Sequence, residues 1–210
     1  MEEKKITEKE SLDIITRMIE QTKQESSIGS GNMFLVWGYL CTIMSLGVYA
    51  FARFYNGSNW GWLYLGIPVL GFVICYVMAL ISRKKKSTPN TYSGKSINGV
   101  WQCISFMFAV YAIYCFIGGK TPVVWNGMFL LGMILPGMGT YSTGVILKEH
   151  ALQLCGFIGM IGGLMLLGQV FSGNPFIDLN LCLKMAITMI ITLVIPGHIL
   201  NYKAKKARKQ

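Results

Sequence analysis

Charge is what this chain has least of. Only 13% of its 210 residues are charged, nine are acidic and two are histidine, and no two of the six cysteines stand at Cys-x-x-Cys spacing. None of the nine acids falls in the interior of a long apolar run, so a carboxylate proton relay has no evident members and a proton-coupled pump is disfavoured. The histidines, His150 and His198, lack ligand spacing, which argues against a zinc or haem pair, and no metal or cofactor is expected. The cysteines (Cys41, Cys75, Cys103, Cys115, Cys155, Cys182) read as small apolar packing residues. Ser93-Gly94-Lys95-Ser96 imitates the end of a phosphate-binding loop, but Pro89 occupies the place of its first glycine and no strand precedes it. A catalytic set would need a converging nucleophile and base, and the one pairing to consider, Tyr141 with His198, is not brought together by sequence spacing. The chain reads as non-enzymatic.

Apolar residues make up 53% of the sequence and the mean hydropathy is +0.49, too high for an ordinary soluble domain. A bilayer core of ~30 Å needs about 20 helical residues, and six stretches meet that length. They are Met33–Phe54, Trp60–Ile81, Gly99–Gly118, Trp125–Leu147, Ala151–Phe171 and Leu179–Leu200. The expected fold is all-α: a polytopic bundle of six transmembrane helices with an N-terminal amphipathic cytoplasmic helix. Residues 1–32 form that helix and a linker, 33–202 the membrane domain, and 203–210 a basic tail. Residues 1–32 mix Lys and Glu and have no apolar core or Ala-x-Ala site, so the first span is expected to act as its own insertion signal.

A net charge of +10 raises the question of nucleic acid, yet the basic residues flank the spans. Sixteen of the nineteen fall on one side of the implied serpentine, the exceptions being Arg53, Lys120 and Lys184. Retention of Lys and Arg in the cytoplasm then places both termini inside, with the run Arg83–Lys86 and the tail deciding. Membrane topology accounts for the charge, and no nucleic-acid partner is expected. Aromatics frame the same spans, with Trp37, Trp101 and Tyr202 near inner ends and Tyr55, Trp60, Trp62, Tyr114, Trp125 and Phe176 near outer ends. Asn56-Gly57-Ser58 is a glycosylation sequon that matters only in a secretory-pathway host.

Thr7 and Glu10 have capping-box spacing, and Leu12, Ile15, Met18 and Ile19 share one helical stripe opposite a mixed, slightly acidic face. Such a face does not suit a free membrane-surface helix, so the stripe either lies against its own bundle or receives a partner. Ser26–Asn32 reads as a flexible break, Ser82–Asn98 as a solvated basic loop in reach of anionic lipid, and Lys148-Glu149-His150 as a turn between antiparallel neighbours. The even-numbered spans each carry a proline followed by a tyrosine (Pro68 and Tyr76, Pro136 and Tyr141, Pro196 and Tyr202), a faint hint of three hairpins, and each proline is expected to kink its helix.

Two spans carry small residues at spacing four: Gly132, Pro136, Thr140 and Gly144 in the fourth, and Cys155, Gly159 and Gly163 in the fifth. These lines are expected to meet, because backbones in lipid associate by close packing. The alternative is a broken helix around Pro136-Gly137 and Pro196-Gly197 lining a transport cavity. Lys184, about five residues or roughly 8 Å into the sixth span, is expected to snorkel to the outer interface.

The succession Ser11-Leu12-Asp13-Ile14-Ile15, Met18-Ile19, Trp37-Gly38-Tyr39, Gly139-Thr140, Thr143-Gly144, Ile146-Leu147-Lys148 and Ile195 to Lys203 resembles an uncharacterised family of small six-span integral membrane proteins of Bacteroidota. The resemblance runs from the N-terminal helix to the tail. It implies a bacterial inner membrane and brings no activity, substrate or site. The expected role is a regulatory or accessory component contacting a cytoplasmic partner, besides the lipid bilayer and a possible homo-oligomer; the alternative is a small transporter or pore subunit.

Overall fold

The computed structural model describes residues 8–54, 63–64, 66–82, 92–117, 122–165, 167 and 179–207. Every regular element among them is helical: α1 (Glu8–Phe54), α2 (Gly66–Ser82), α3 (Tyr92–Ile117), α4 (Pro122–Leu147), α5 (His150–Leu164), α6 (Leu179–Met189), a π turn (Ile190–Val194) and α7 (Ile195–Ala207). Four stretches are long and apolar enough to cross a membrane: Gly31–Phe54, Tyr92–Ile117, Gly127–Leu147 and Asn180–Lys206. Two shorter apolar helices, Gly66–Met78 and His150–Leu164, accompany them. Such long apolar helices keep most of their backbone hydrogen bonds internal, as hydrocarbon requires.

The core lies where α1, α4, α5 and the last helical segment meet. Phe34, Cys41, Phe129, Met133, Leu152, Leu181, Met185, Met189, Leu193 and Leu200 form it. Helices α2 and α3 are peripheral, with Phe72, Val73, Phe106, Ile113 and Phe116 among their outward apolar residues. A helix apolar all round belongs against lipid on one side and protein on the other.

Several expectations change. The break expected at Ser26–Asn32 is helical, and α1 runs through it as one 47-residue helix; its serines and glycines lower helix propensity without stopping propagation from the apolar stretch that follows. Tyr92–Asn98, expected in a loop, forms the first turns of α3. Helix α2 starts at Gly66, behind a 3₁₀ turn at Leu63 and Tyr64, and α5 covers His150–Leu164, the expected remainder of that span at 166 and 168–171 lying outside the described residues. The run Arg83–Lys86, Thr7 and Trp60 lie outside the described residues.

Proline position explains which helices break. Pro68 is in the first turn of α2, where no preceding helical carbonyl waits for its missing N–H. Pro136 sits inside α4, which continues through it. Pro196 follows the π turn, where the Ile195 N–H reaches back five residues to the Ile190 carbonyl.

Candidate functional site

The contact between α4 and α5 is made by backbone. A Cβ added to Gly137 would lie 2.9 Å from the Gly156 carbonyl oxygen and 3.0 Å from the Met160 nitrogen, and one added to Gly156 would lie 2.6 Å from the Gly137 carbonyl oxygen. Gly144 likewise abuts the Gln153 nitrogen, and Gly163 abuts Ile134. The two helices therefore meet as expected, but the register differs. Gly156, not Cys155, completes the line on α5, and on α4 the residues meeting it are Ile134, Gly137, Tyr141 and Gly144.

Thr140 and Gly132, expected on that line, turn toward the last helical segment. Gly132 lies beside Met185. The Thr140 hydroxyl donates to the Thr192 carbonyl at 2.8 Å, with both residues fully buried. That carbonyl is four residues before Pro196, which has no N–H to offer it. A hydroxyl from α4 thus replaces the backbone donor that proline removes. Around it the Thr192 hydroxyl donates to the Thr188 carbonyl, the Thr188 hydroxyl to the Lys184 carbonyl, and the Thr143 hydroxyl to the Gly139 carbonyl, while the Trp101 indole N–H donates to Thr143. Gly159 of α5 faces the Thr192 methyl, so three helices converge on this one residue.

Aromatics expected in the headgroup zone serve the same core. Trp101 packs edge-on to Phe34, with ring centroids 5.1 Å apart, and both Trp37 and Trp101 pack against the buried cluster. Their depth in the sequence frame suits the interface, but hydrogen bonding and ring packing turn them inward.

A second polar group gathers at the end of the bundle that carries Gly31 and Asn201. The Tyr39 hydroxyl meets His198 Nε2 at 2.8 Å, with the rings edge to face. Asn201 Nδ2 donates to Asn32 Oδ1 at 2.9 Å. Lys203 pairs with Glu149, and His150 Nδ1 lies 3.4 Å from Gln153 Oε1. The turn between α4 and α5 closes as a Schellman motif, with Lys148 N–H on the Val145 carbonyl, Glu149 N–H on the Gly144 carbonyl, and Lys148 at φ 57°.

His198 therefore meets Tyr39, not Tyr141 or His150. No group of three or more His, Cys, Asp or Glu that would hold a metal occurs among the described residues, and none of the six cysteines is in a disulfide. Lys184 is half-buried. Leu12 and Ile14 are 64% and 48% exposed, and Asp13 and Thr16 are exposed as well, so this turn of α1 stands clear of the bundle. The side chains of Ile15, Met18 and Ile19 lie outside the described residues. Sequence reasoning missed Thr192, Gly156 and Tyr39. The spacing Thr188, Thr192, Pro196 was the available signal for the first. No protein-family model, curated protein or solved structure matches the chain, so the case for its function rests on its own residues and geometry.

Proposed function

We propose that this is a six-span protein of a bacterial inner membrane, with both termini in the cytoplasm, acting as a non-enzymatic regulatory or accessory component that docks a cytoplasmic partner. Four full-length apolar helices and two shorter ones support the count of six, since α2 with 17 residues and α5 with 15 reach about 26 and 23 Å on their own. Apolar sequence at Trp60–Leu65 and Leu166–Phe171 supplies the remainder. The distribution of Lys and Arg supports the orientation.

The continuity of α1 carries the functional reading. Residues 8–30 precede the first apolar span in the same helix and project about 34 Å from it. Such a stalk, presenting Leu12 and Ile14 to solvent, fits capture of a partner's apolar groove by an amphipathic helix. The transporter alternative draws support from the π turn beside Pro196. Yet the carbonyl freed there is taken by Thr140, and Thr140 and Thr192 are both fully buried, which favours a packed joint over a cavity lining. Affinity capture from membranes tests the docking reading. Replacing Leu12, Ile15 and Ile19 with Asp abolishes recovery of a specific protein while the bundle stays folded; an unchanged set of recovered proteins refutes it.

A further inference from the structure

The seam between α1 and α7 is graded along its length. Toward the middle of the bundle its outward residues are apolar: Ile43 and Leu46 on α1, Ile187, Ile190 and Ile195 on the last segment. Toward the basic end they become polar: Tyr39 with His198, then Asn32 with Asn201, then Tyr202 and Lys205. His198, Tyr202 and Lys205 are spaced four and three residues apart and all three are exposed, so they share one face of α7. The interior-facing side of that helix is instead occupied by Leu200 and Ala204, both buried. Lys203 points elsewhere, to Glu149.

A hydrogen-bonded Tyr–His pair open to lipid is unexpected, because polar side chains in membrane helices ordinarily turn into the bundle. If the Tyr39 hydroxyl donates to Nε2, the neutral ring keeps its proton on Nδ1. That N–H then has no protein acceptor among the described residues and, near the inner end of its span, lies in reach of lipid ester and phosphate oxygens. Helical side chains lean toward the helix N-terminus, which brings Tyr202 and Lys205 back toward His198.

We infer that this seam is a binding site for an anionic phospholipid, with one acyl chain along Ile43, Ile190 and Ile195, an ester carbonyl accepting from His198, and the phosphate held by Lys205 and Tyr202. The gradation from apolar to donor to cation follows the order of an acyl chain, glycerol ester and phosphate. This rests on the membrane setting of the helices and is independent of any partner for the stalk.

The test uses the full-length protein in detergent, titrated with phosphatidylglycerol or phosphatidylcholine, with bound lipid counted by native mass spectrometry and stability followed by thermal unfolding. Phosphatidylglycerol is retained in preference to phosphatidylcholine and raises the unfolding temperature. Lys205→Gln and His198→Leu each weaken its apparent affinity about fivefold, the effect of one lost cation or hydrogen bond at a membrane surface. Lys206→Gln, one residue away and off this face, leaves it unchanged. Lys205 is exposed, so its replacement tests the site without risk to folding. Equal weakening by Lys205→Gln and Lys206→Gln would mean diffuse attraction and overturn the site. So would equal retention of the two lipids, or a change of oligomeric state in His198→Leu, which would make the face a contact between copies.

Discussion

Thr140→Val removes a hydroxyl while keeping the shape of the side chain, and leaves the Thr192 carbonyl buried without the donor that Pro196 already denies it. An unsatisfied buried polar group costs about 1–3 kcal/mol, and interhelical hydrogen bonds in membranes average about 0.6 kcal/mol with a maximum near 1.7. The carbonyl here has no alternative from its own helix at position 196, so the loss belongs toward the upper end, about 1.5 kcal/mol. Pro196→Ala restores an N–H four residues after Thr192. The Thr140→Val defect therefore shrinks in that background, giving a coupling of about 1 kcal/mol, well inside the range seen for residues in one network. Equilibrium unfolding in mixed micelles, run on the wild type, both single variants and the double variant, measures it. Additivity within about 0.3 kcal/mol would show that the hydroxyl and the proline act independently and that the carbonyl is satisfied some other way.

Gly156→Ala forces α4 and α5 apart, because the added carbon meets backbone that cannot rotate away, and destabilises the protein by about 1–3 kcal/mol in the same unfolding assay. Gly47→Ala, where a Cβ would meet nothing within 4 Å, is neutral or gains up to about 1 kcal/mol of helix propensity; equal losses at both sites would contradict the packing. Lys148→Gly relieves the left-handed residue of the Schellman turn and raises stability by about 1 kcal/mol, whereas a loss would mean that the lysine side chain outweighs its backbone strain. Spin labels at positions 14 and 43, in a variant without the native cysteines, give a narrow distance distribution near 44 Å if α1 is one rod. A broad, shorter distribution would restore the break at Ser26–Asn32.

Much of the scaffold was legible because hydrocarbon leaves few choices. The end of α4 at Leu147 falls where the apolar run ends, and the short turn, two residues long because His150 already belongs to α5, forced α4 and α5 together. Periodicity did not disclose rotation about the helix axis. Gly132, Pro136, Thr140 and Gly144 form a line every four residues, but a helix of 3.6 residues per turn carries such a line gradually around its surface. Gly144 accordingly meets α5 while Thr140 meets the π turn. The carbonyl that Pro196 frees can be located from sequence by counting back four. The donor that replaces it comes from a residue 52 positions away, which no local pattern encodes. Propensity misled at Ser26–Asn32, where the stability of the attached span overrides a run of serine and glycine.

The most direct test of the membrane account is a set of reporter fusions along the chain. Green fluorescent protein joined after Gln210 fluoresces, and alkaline phosphatase joined there is inactive, while phosphatase fused at positions 57, 120 and 174 is active. Active phosphatase at the tail, or recovery of the unfused chain in the soluble fraction without detergent, would contradict a six-fold crossing with both basic ends inside the cell.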